Sequence, residues 1–154
     1  MNVIGFNFTK ISAEKVPDFI VGSALNTDIQ FTNMKEEKIS ILKEDSSALG
    51  ISFRFAISYS DKKEQKGKDE KESEMIFEGK ITLSVAKGEP KDIIGKWENK
   101  ALPNSFKVPL FNLILKRCAP KAMVLEEELN LPSHIPIPQI HPQQAKPDKK
   151  DDKK

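Results

Sequence analysis

Two long stretches in which apolar and polar side chains alternate constrain this chain more than any other feature. In "LGISFRFAISY", residues 49–59, every second position is large and apolar, namely Leu49, Ile51, Phe53, Phe55, Ile57 and Tyr59. "MIFEGKITLSVA", residues 75–86, repeats this with Met75, Phe77, Ile81, Leu83 and Val85. Successive side chains of a strand point to opposite faces, so this period predicts antiparallel strands with one buried face. Residues 3–11, with Ile4, Phe6 and Phe8 on one face, and residues 24–32, with Leu25, Ile29 and Phe31, are weaker cases. The sequence therefore predicts four strands.

Proline separates this half of the chain from a helical half. Of ten prolines, only Pro17 precedes residue 90. Residues 89–102 have helical spacing and carry Pro90 at a position that suits the first turn of a helix. The predicted fold is α+β: a four-stranded antiparallel sheet with one face covered by two C-terminal helices.

The second helix is predicted to open around Pro109. Its apolar stripe consists of Leu110, Phe111, Ile114, Leu115 and Cys118. We expect Pro120 to kink or break this helix, because proline cannot donate a hydrogen bond to the preceding turn. Asn130 suits the left-handed position that ends a helix, and Pro132 prevents continuation.

Composition narrows the functional classes. The net charge of +2 comes from alternating lysines and acids, with no basic stripe of the kind that nucleic-acid modules carry. No run approaches the about 18 apolar residues of a membrane span, and the N-terminus has no signal-peptide pattern. With one cysteine in the chain, a cytoplasmic location without membrane insertion is expected. We predict one domain over residues 1–141, a disordered charged tail over 142–154 and a solvated loop over 61–73.

No arrangement of side chains points to catalysis, a cofactor or a metal. The run Glu126, Glu127 and Glu128 is predicted to be a solvated helix face, because consecutive helical residues diverge by about 100°. His134 and His141 are expected to be structural or exposed, and Cys118 to be a small core residue. We therefore predict that the protein is not an enzyme.

Two irregular apolar segments are unusual for connections. Residues 12–23, "SAEKVPDFIVGS", join the first two strands, and residues 128–140, "ELNLPSHIPIPQI", follow the last helix. In one interpretation both complete the core or an oligomer interface. In the other they line an exposed groove, since large apolar patches usually mark binding sites. For the second segment, we predict a groove wall formed by Leu131, Ile135, Ile137 and Ile140.

The order of these parts resembles the SecB-type export chaperone family. The match runs over about residues 3–140 through "VIGFNFTKISAEKVPDF", "TDIQFTN", "LGISFRFAISY", "MIFEGKITLSVAKG", "PKDIIGKWENKALP" and "VPLFNLILKRCAPKAMVLEEELNLP". The resemblance implies protomers joined edge to edge and by long helices, and unfolded polypeptide bound along apolar grooves. It places Phe19, Ile20 and Val21 in a crossover loop, and Phe111, Leu115 and Met123 on the long helix. This chain departs from the family in being slightly basic, and no surface for a translocation motor is identifiable.

These observations predict an ATP-independent holdase that binds unfolded or partly folded polypeptides, with protein export as one pathway. The expected assembly is a homo-oligomer, either a dimer or a tetramer, without cofactors. The alternative is a structural interaction module that buries its apolar loops against one fixed partner. A small-ligand carrier is a third interpretation, which the absence of convergent polar groups disfavours.

Overall fold

In the described part of the chain, four antiparallel strands are followed by two helices, in the order that the sequence predicts. The computed structural model describes residues 1–20, 22–40, 42, 44–60 and 72–142. The strands are β1 (Asn2–Glu14), β2 (Ala24–Glu37), β3 (Ser46–Ser60) and β4 (Ser73–Ala86), and the helices are α1 (Glu89–Glu98) and α2 (Asn104–Glu128). The sheet order is β1-β4-β3-β2. The predicted fold class is confirmed, whereas most of the predicted loop and nearly all of the predicted tail lie outside the described residues.

The two central strands supply most of the core. In β3 and β4 the odd-numbered side chains face the helices, and pairs such as Phe55–Phe77 and Leu49–Leu83 lie directly opposite each other. Nearly all of these side chains are buried. Both strands are paired on both sides, so their backbone groups are hydrogen-bonded within the sheet. The core also takes in residues from β2, the connection between the helices, α2 and the segment after it, namely Phe31, Met34, Leu102, Leu110, Ile114, Cys118, Ala122 and Leu131.

An irregular register in β1 changes the face of one predicted residue. Phe6 pairs with Ile81 on the helix side, and Gly5 pairs with Thr82, whose side chain points to the other side. The register shifts between Val3 and Gly5, which leaves Ile4 as the extra residue of a bulge. Ile4 borders a hollow together with Gly5 and Thr82. The prediction that Ile4 shares a face with Phe6 and Phe8 was therefore wrong, because alternation does not reveal a bulge.

Both helices cover the apolar face of the sheet and end in the same way. After α1, Lys100 has a φ of 56°, and after α2, Asn130 has a φ of 51°, as predicted for that asparagine. In each case the N–H of the left-handed residue and the N–H of the residue after it donate to carbonyls of the last turn, as in Asn130 to Glu127 and Leu131 to Glu126. This pairing satisfies carbonyls that a helix end otherwise leaves free, and it turns the chain sharply.

The second helix differs from its prediction at its beginning. It starts at Asn104 after Pro103, five residues before Pro109, and it runs through both Pro109 and Pro120 without a break. Each internal proline removes one hydrogen bond, which a helix of 25 residues tolerates when its apolar side is packed. A break at Pro120 is thereby excluded. None of the helices in the described ranges is long and apolar enough to cross a membrane.

Candidate functional site

The buried side of α2 rotates along the helix. Its buried residues recur at every fourth position, namely Leu110, Ile114, Cys118, Ala122 and Glu126. Four helical residues span about 400°, so each step moves the buried side by about 40° around the axis. Near its start, α2 packs on the sheet, with the Phe111 and Phe31 ring centroids 4.8 Å apart. By Glu126 the buried side has turned far enough to face another element.

That element is the segment after the helix, residues 131–142, which we call the C-terminal strap. The left-handed Asn130 reverses the chain so that the strap returns along the end of α2. The Tyr59 hydroxyl at the end of β3 donates a hydrogen bond of 2.8 Å to the carbonyl of Pro132. Burial above all, and secondly the nearby Glu126 carboxylate, raises the pKa of Tyr59 from its ordinary 10.0. The hydroxyl therefore keeps its proton and remains a donor at neutral pH.

A buried pair of polar side chains ties the strap to α2. One carboxylate oxygen of Glu126 accepts a hydrogen bond of 3.0 Å from the backbone N–H of His134. The ring atom Nδ1 of His134 lies 2.6 Å from the same oxygen, and both side chains are only 4% exposed. The prediction of a solvated face was therefore wrong for Glu126, because the strap covers that turn. Glu127 and Glu128 are exposed as predicted.

A cavity of about 580 Å³ opens between the last turns of α2 and the strap. Its lining comes from both elements: Pro120, Met123, Val124, Glu126 and Glu127 from the helix, and Leu131, Ser133 and Ile137 from the strap. Three apolar side chains at this cavity are unusually open to solvent, since Met123 is 39%, Val124 55% and Ile137 56% exposed. The helix and the strap thus build an apolar opening together.

The structure describes nine of the ten predicted binding residues, and seven of these nine lie on α2 or the strap. Met123, Leu131 and Ile137 line the cavity. Ile135 is half-buried on the strap, Ile140 is fully exposed at its far end, and Leu115 lies exposed on α2. Phe111 belongs to the core instead, because it is half-buried against Phe31.

The two described crossover residues differ in their surroundings. The Phe19 ring packs edge-on against the Tyr59 ring at 5.9 Å between centroids, and Ile20 is exposed. Val21 lies outside the described residues. Because Tyr59 also holds Pro132, the crossover loop and the strap share one anchor on β3.

Two apolar residues of the cavity were missed by the sequence analysis. Val124 and Pro120 do not fit the stripe drawn from Leu110 to Cys118, and Pro120 was considered only as a kink. The sequence did contain an indication of Val124. Leu110, Ile114 and Cys118 are spaced by four residues, so the buried side of the helix rotates by about 40° at each step. Near the end of α2 this rotation brings Val124 to the outward side. The His134–Glu126 pair has no comparable local signal, since it depends on the chain reversal.

The Cys118 thiol is buried in the core. Burial raises the pKa of the Cys118 thiol from its ordinary 9.0 to about 12, despite the opposing effect of Lys121. The thiol is therefore protonated at neutral pH, which suits a core residue and not a nucleophile. In the part of the chain that the structure describes, no three His, Cys, Asp or Glu side chains cluster as a metal site would require.

A comparison with solved structures gives a distant similarity. No protein-family model matches the chain, and neither does any curated protein. Among solved structures, the Mycobacterium tuberculosis Rv1957 SecB-like chaperone in complex with a ChAD peptide from the Rv1956 HigA1 antitoxin is similar, with a TM-score of 0.47 and 11% identity. The alignment covers 92% of this chain and 91% of that chain. At this distance the similarity carries no conclusion about what the chain binds.

Proposed function

We propose that this protein is an ATP-independent holdase that binds unfolded or partly folded polypeptide segments without covalent chemistry. The binding area is the cavity between α2 and the strap, extended by Leu115 along the helix and by Ile140 along the strap. The observation that carries the proposal is the exposure of Met123, Val124 and Ile137 around one opening. Burying these side chains against a partner would release apolar surface from water, at roughly 25 cal/mol per Å².

The chemistry of the opening favours a polypeptide over a small molecule. Small-ligand sites enclose their ligand and fix it with a few convergent polar groups. Here the Ser133 hydroxyl is already bonded to the carbonyl of Ile135, and the Glu126 side chain is engaged by His134. Besides these two groups, the cavity offers the exposed Glu127 carboxylate and an apolar surface with a flexible methionine, which adapts to side chains of different shape. Such a surface suits many sequences instead of one.

The test is a double variant at exposed positions of the cavity. Val124→Ser with Ile137→Ser should leave the melting temperature nearly unchanged, because both side chains are more than half exposed. Client affinity should fall about tenfold, which corresponds to about 1.4 kcal/mol of lost apolar burial. Fluorescence anisotropy with several unrelated unfolded peptides measures affinity, and suppression of aggregation without ATP measures holding.

A matched control is available on the same helix. Val108 is also about half exposed, but it lies 16 residues before Val124, or about 24 Å along the helix axis. Val108→Ser should therefore leave client affinity unchanged. Wild-type protein that binds none of the unfolded clients, or a double variant that binds all of them normally, would contradict the proposal.

The same experiment separates the alternative function. A structural module would bind one folded partner tightly and ignore unrelated unfolded chains, because a fixed interface depends on shape complementarity. A holdase should bind several clients with similar affinity. Within our proposal the protein works in the cytoplasm as a homo-oligomer, and a link to protein export stays a prediction.

A further inference from the structure

The strap is anchored at its base and free at its end. Its polar ties to the rest of the protein lie between residues 131 and 134, through Leu131, Pro132 and His134. Beyond Ile135, no hydrogen bond or ion pair joins residues 136–142 to any other part of the described chain. The cavity residue Ile137 and the fully exposed Ile140 both lie in this free part.

The Glu126–His134 pair is an unusual choice for an anchor. Burying a carboxylate is unfavourable unless its oxygens are well paired, and Oε2 of Glu126 has no hydrogen-bond partner among the described residues. A pair of apolar side chains would hold two surfaces together without that penalty. A directional pair does something that apolar packing cannot do, because it fixes one residue of the strap at one height on the helix.

The backbone after His134 is restricted, so the position of His134 affects the position of Ile137. Pro136 and Pro138 flank Ile137 and restrict the backbone, with φ near −65° at each proline. The two residues between His134 and Ile137 therefore behave more like a stiff arm than a flexible loop. Where His134 is held decides where Ile137 stands relative to Met123 and Val124.

We propose that the buried Glu126–His134 pair is the positioning element of the binding cavity, and that it holds the base of an arm whose Ile137 and Ile140 close over a bound polypeptide segment. This inference rests on the proposed function and adds a mechanism to it. Both donors come from one residue and meet one oxygen, so the loss of Glu126 releases the base of the arm in a single step.

The experiment combines hydrogen–deuterium exchange with client binding. Glu126→Leu keeps the volume of the side chain and removes the acceptor. In this variant the amides of residues 134 and 135 should exchange at least about tenfold faster, while the amides of β3 and β4 stay protected. Client affinity should fall about tenfold, mainly through faster dissociation, because the arm closes after the client has entered.

Conservative and neighbouring variants make the test specific. Glu126→Gln retains a carbonyl oxygen that can accept the same two bonds, so it should stay within about threefold of wild type in both measurements. Glu128→Gln changes an exposed residue near the same end of α2 that belongs neither to the pair nor to the cavity lining, and it should change neither. His134→Ala, which keeps its own backbone N–H, serves if Glu126→Leu does not fold, and it should accelerate exchange and dissociation in the same direction.

The outcomes separate this inference from the function on which it rests. Normal protection of residues 134 and 135 in both Glu126→Leu and His134→Ala would overturn the positioning role. Faster exchange with unchanged client affinity would overturn the closing arm and leave the holdase proposal intact. If wild-type protein bound no client, the holdase would fail together with the arm, while the exchange measurement would still decide whether the pair anchors the strap.

Discussion

At the scale of single residues, Gly79 shows how closely the sheet and its aromatic rings are fitted. Gly79 lies between Phe8 of β1 and Phe53 of β3 in register. A Cβ atom there would lie 2.3 Å from the carbonyl oxygen of Asn7 and 2.7 Å from the Phe53 ring. The ring occupies the space that a side chain at this position would need, which explains a glycine in the middle of a central strand.

Gly79→Ala should therefore destabilise the protein by about 1–3 kcal/mol, as overpacking of a dense core does. Gly95→Ala is the matched control, because nothing lies within 4 Å of a Cβ atom at that position in α1. Alanine has the better helix propensity, so this control should stabilise by about 0.5–1 kcal/mol. Urea denaturation measures both, and equal effects of the two substitutions would contradict the packing argument.

Cys118 predicts how stability changes at alkaline pH. Its pKa is raised from 9.0 to about 12 in the folded protein, so the unfolded chain loses the thiol proton first as the pH rises. Between these values the unfolded state binds fewer protons, and the free energy of unfolding must fall with increasing pH. Tyr59 acts in the same direction above pH 10.0.

Cys118→Ala should flatten the decline in stability between pH 9 and 11 and change nothing in the pH dependence below pH 8. Denaturation at a series of pH values measures this, and thiol labelling at pH 8 should be slow until the protein unfolds. Rapid labelling of the native protein would show that the thiol is accessible and that its pKa is not raised.

At the scale of elements, Pro120 is the first residue along α2 that lines the cavity. Pro120 is exposed and cannot donate to the carbonyl of Lys116. Pro120→Ala supplies the missing N–H, so we expect it to fold normally and to stabilise the helix by about 1–3 kcal/mol. A crystal structure of each form shows whether the helix is kinked through residues 112–128 in wild type and straighter in the variant. A wild-type helix that is straight through these residues would contradict the predicted kink.

Some elements could be predicted from the sequence and others could not. The difference is whether a feature depends on the local sequence or on a contact with another part of the chain. The two central strands were predictable because each is buried on one face along its whole length, which enforces strict alternation. Ile4 was misplaced because a bulge is a property of the strand pair and not of one strand. The end of α2 was predictable because the left-handed Asn130 is a local preference. The Glu126–His134 pair was missed because contact between these two residues requires the reversal that follows Asn130.

At the scale of the whole molecule, the two edge strands of the sheet differ in how well charged residues protect them from pairing with another chain. The β2 edge carries several charged residues, including Asp28, Lys35 and Glu36. Along residues 3–11 of β1, Lys10 is the single charged residue, and Val3, Ile4 and Ile11 are all nearly half exposed. An exposed apolar edge strand is a template for pairing with another chain. We predict a dimer or tetramer, joined by strand pairing or by helix packing.

Light scattering coupled to size-exclusion chromatography measures this assembly. If β1 forms the interface, Ile11→Lys should shift the mass toward the monomer, because the introduced charge would be desolvated on pairing. Thr27→Lys on the exposed β2 edge is the matched control and should leave the mass unchanged. A strictly monomeric wild type at high concentration and moderate salt would refute the prediction.

The strand order also has a consequence for how the protein is made. The described partner of β1 is β4, and the pairs run from Glu14 with Glu74 to Asn2 with Ser84. At about 5–20 residues per second, the ribosome makes β1 roughly 3–15 seconds before β4 is complete. Hairpins form within microseconds, so β2 and β3 can pair while β1 still waits. During those seconds the rings of Phe6 and Phe8 are exposed to water, because the strand that they pack beside has not yet been made. The nascent chain is then itself an unfolded polypeptide with exposed apolar side chains, which is the kind of client that we propose the folded protein binds.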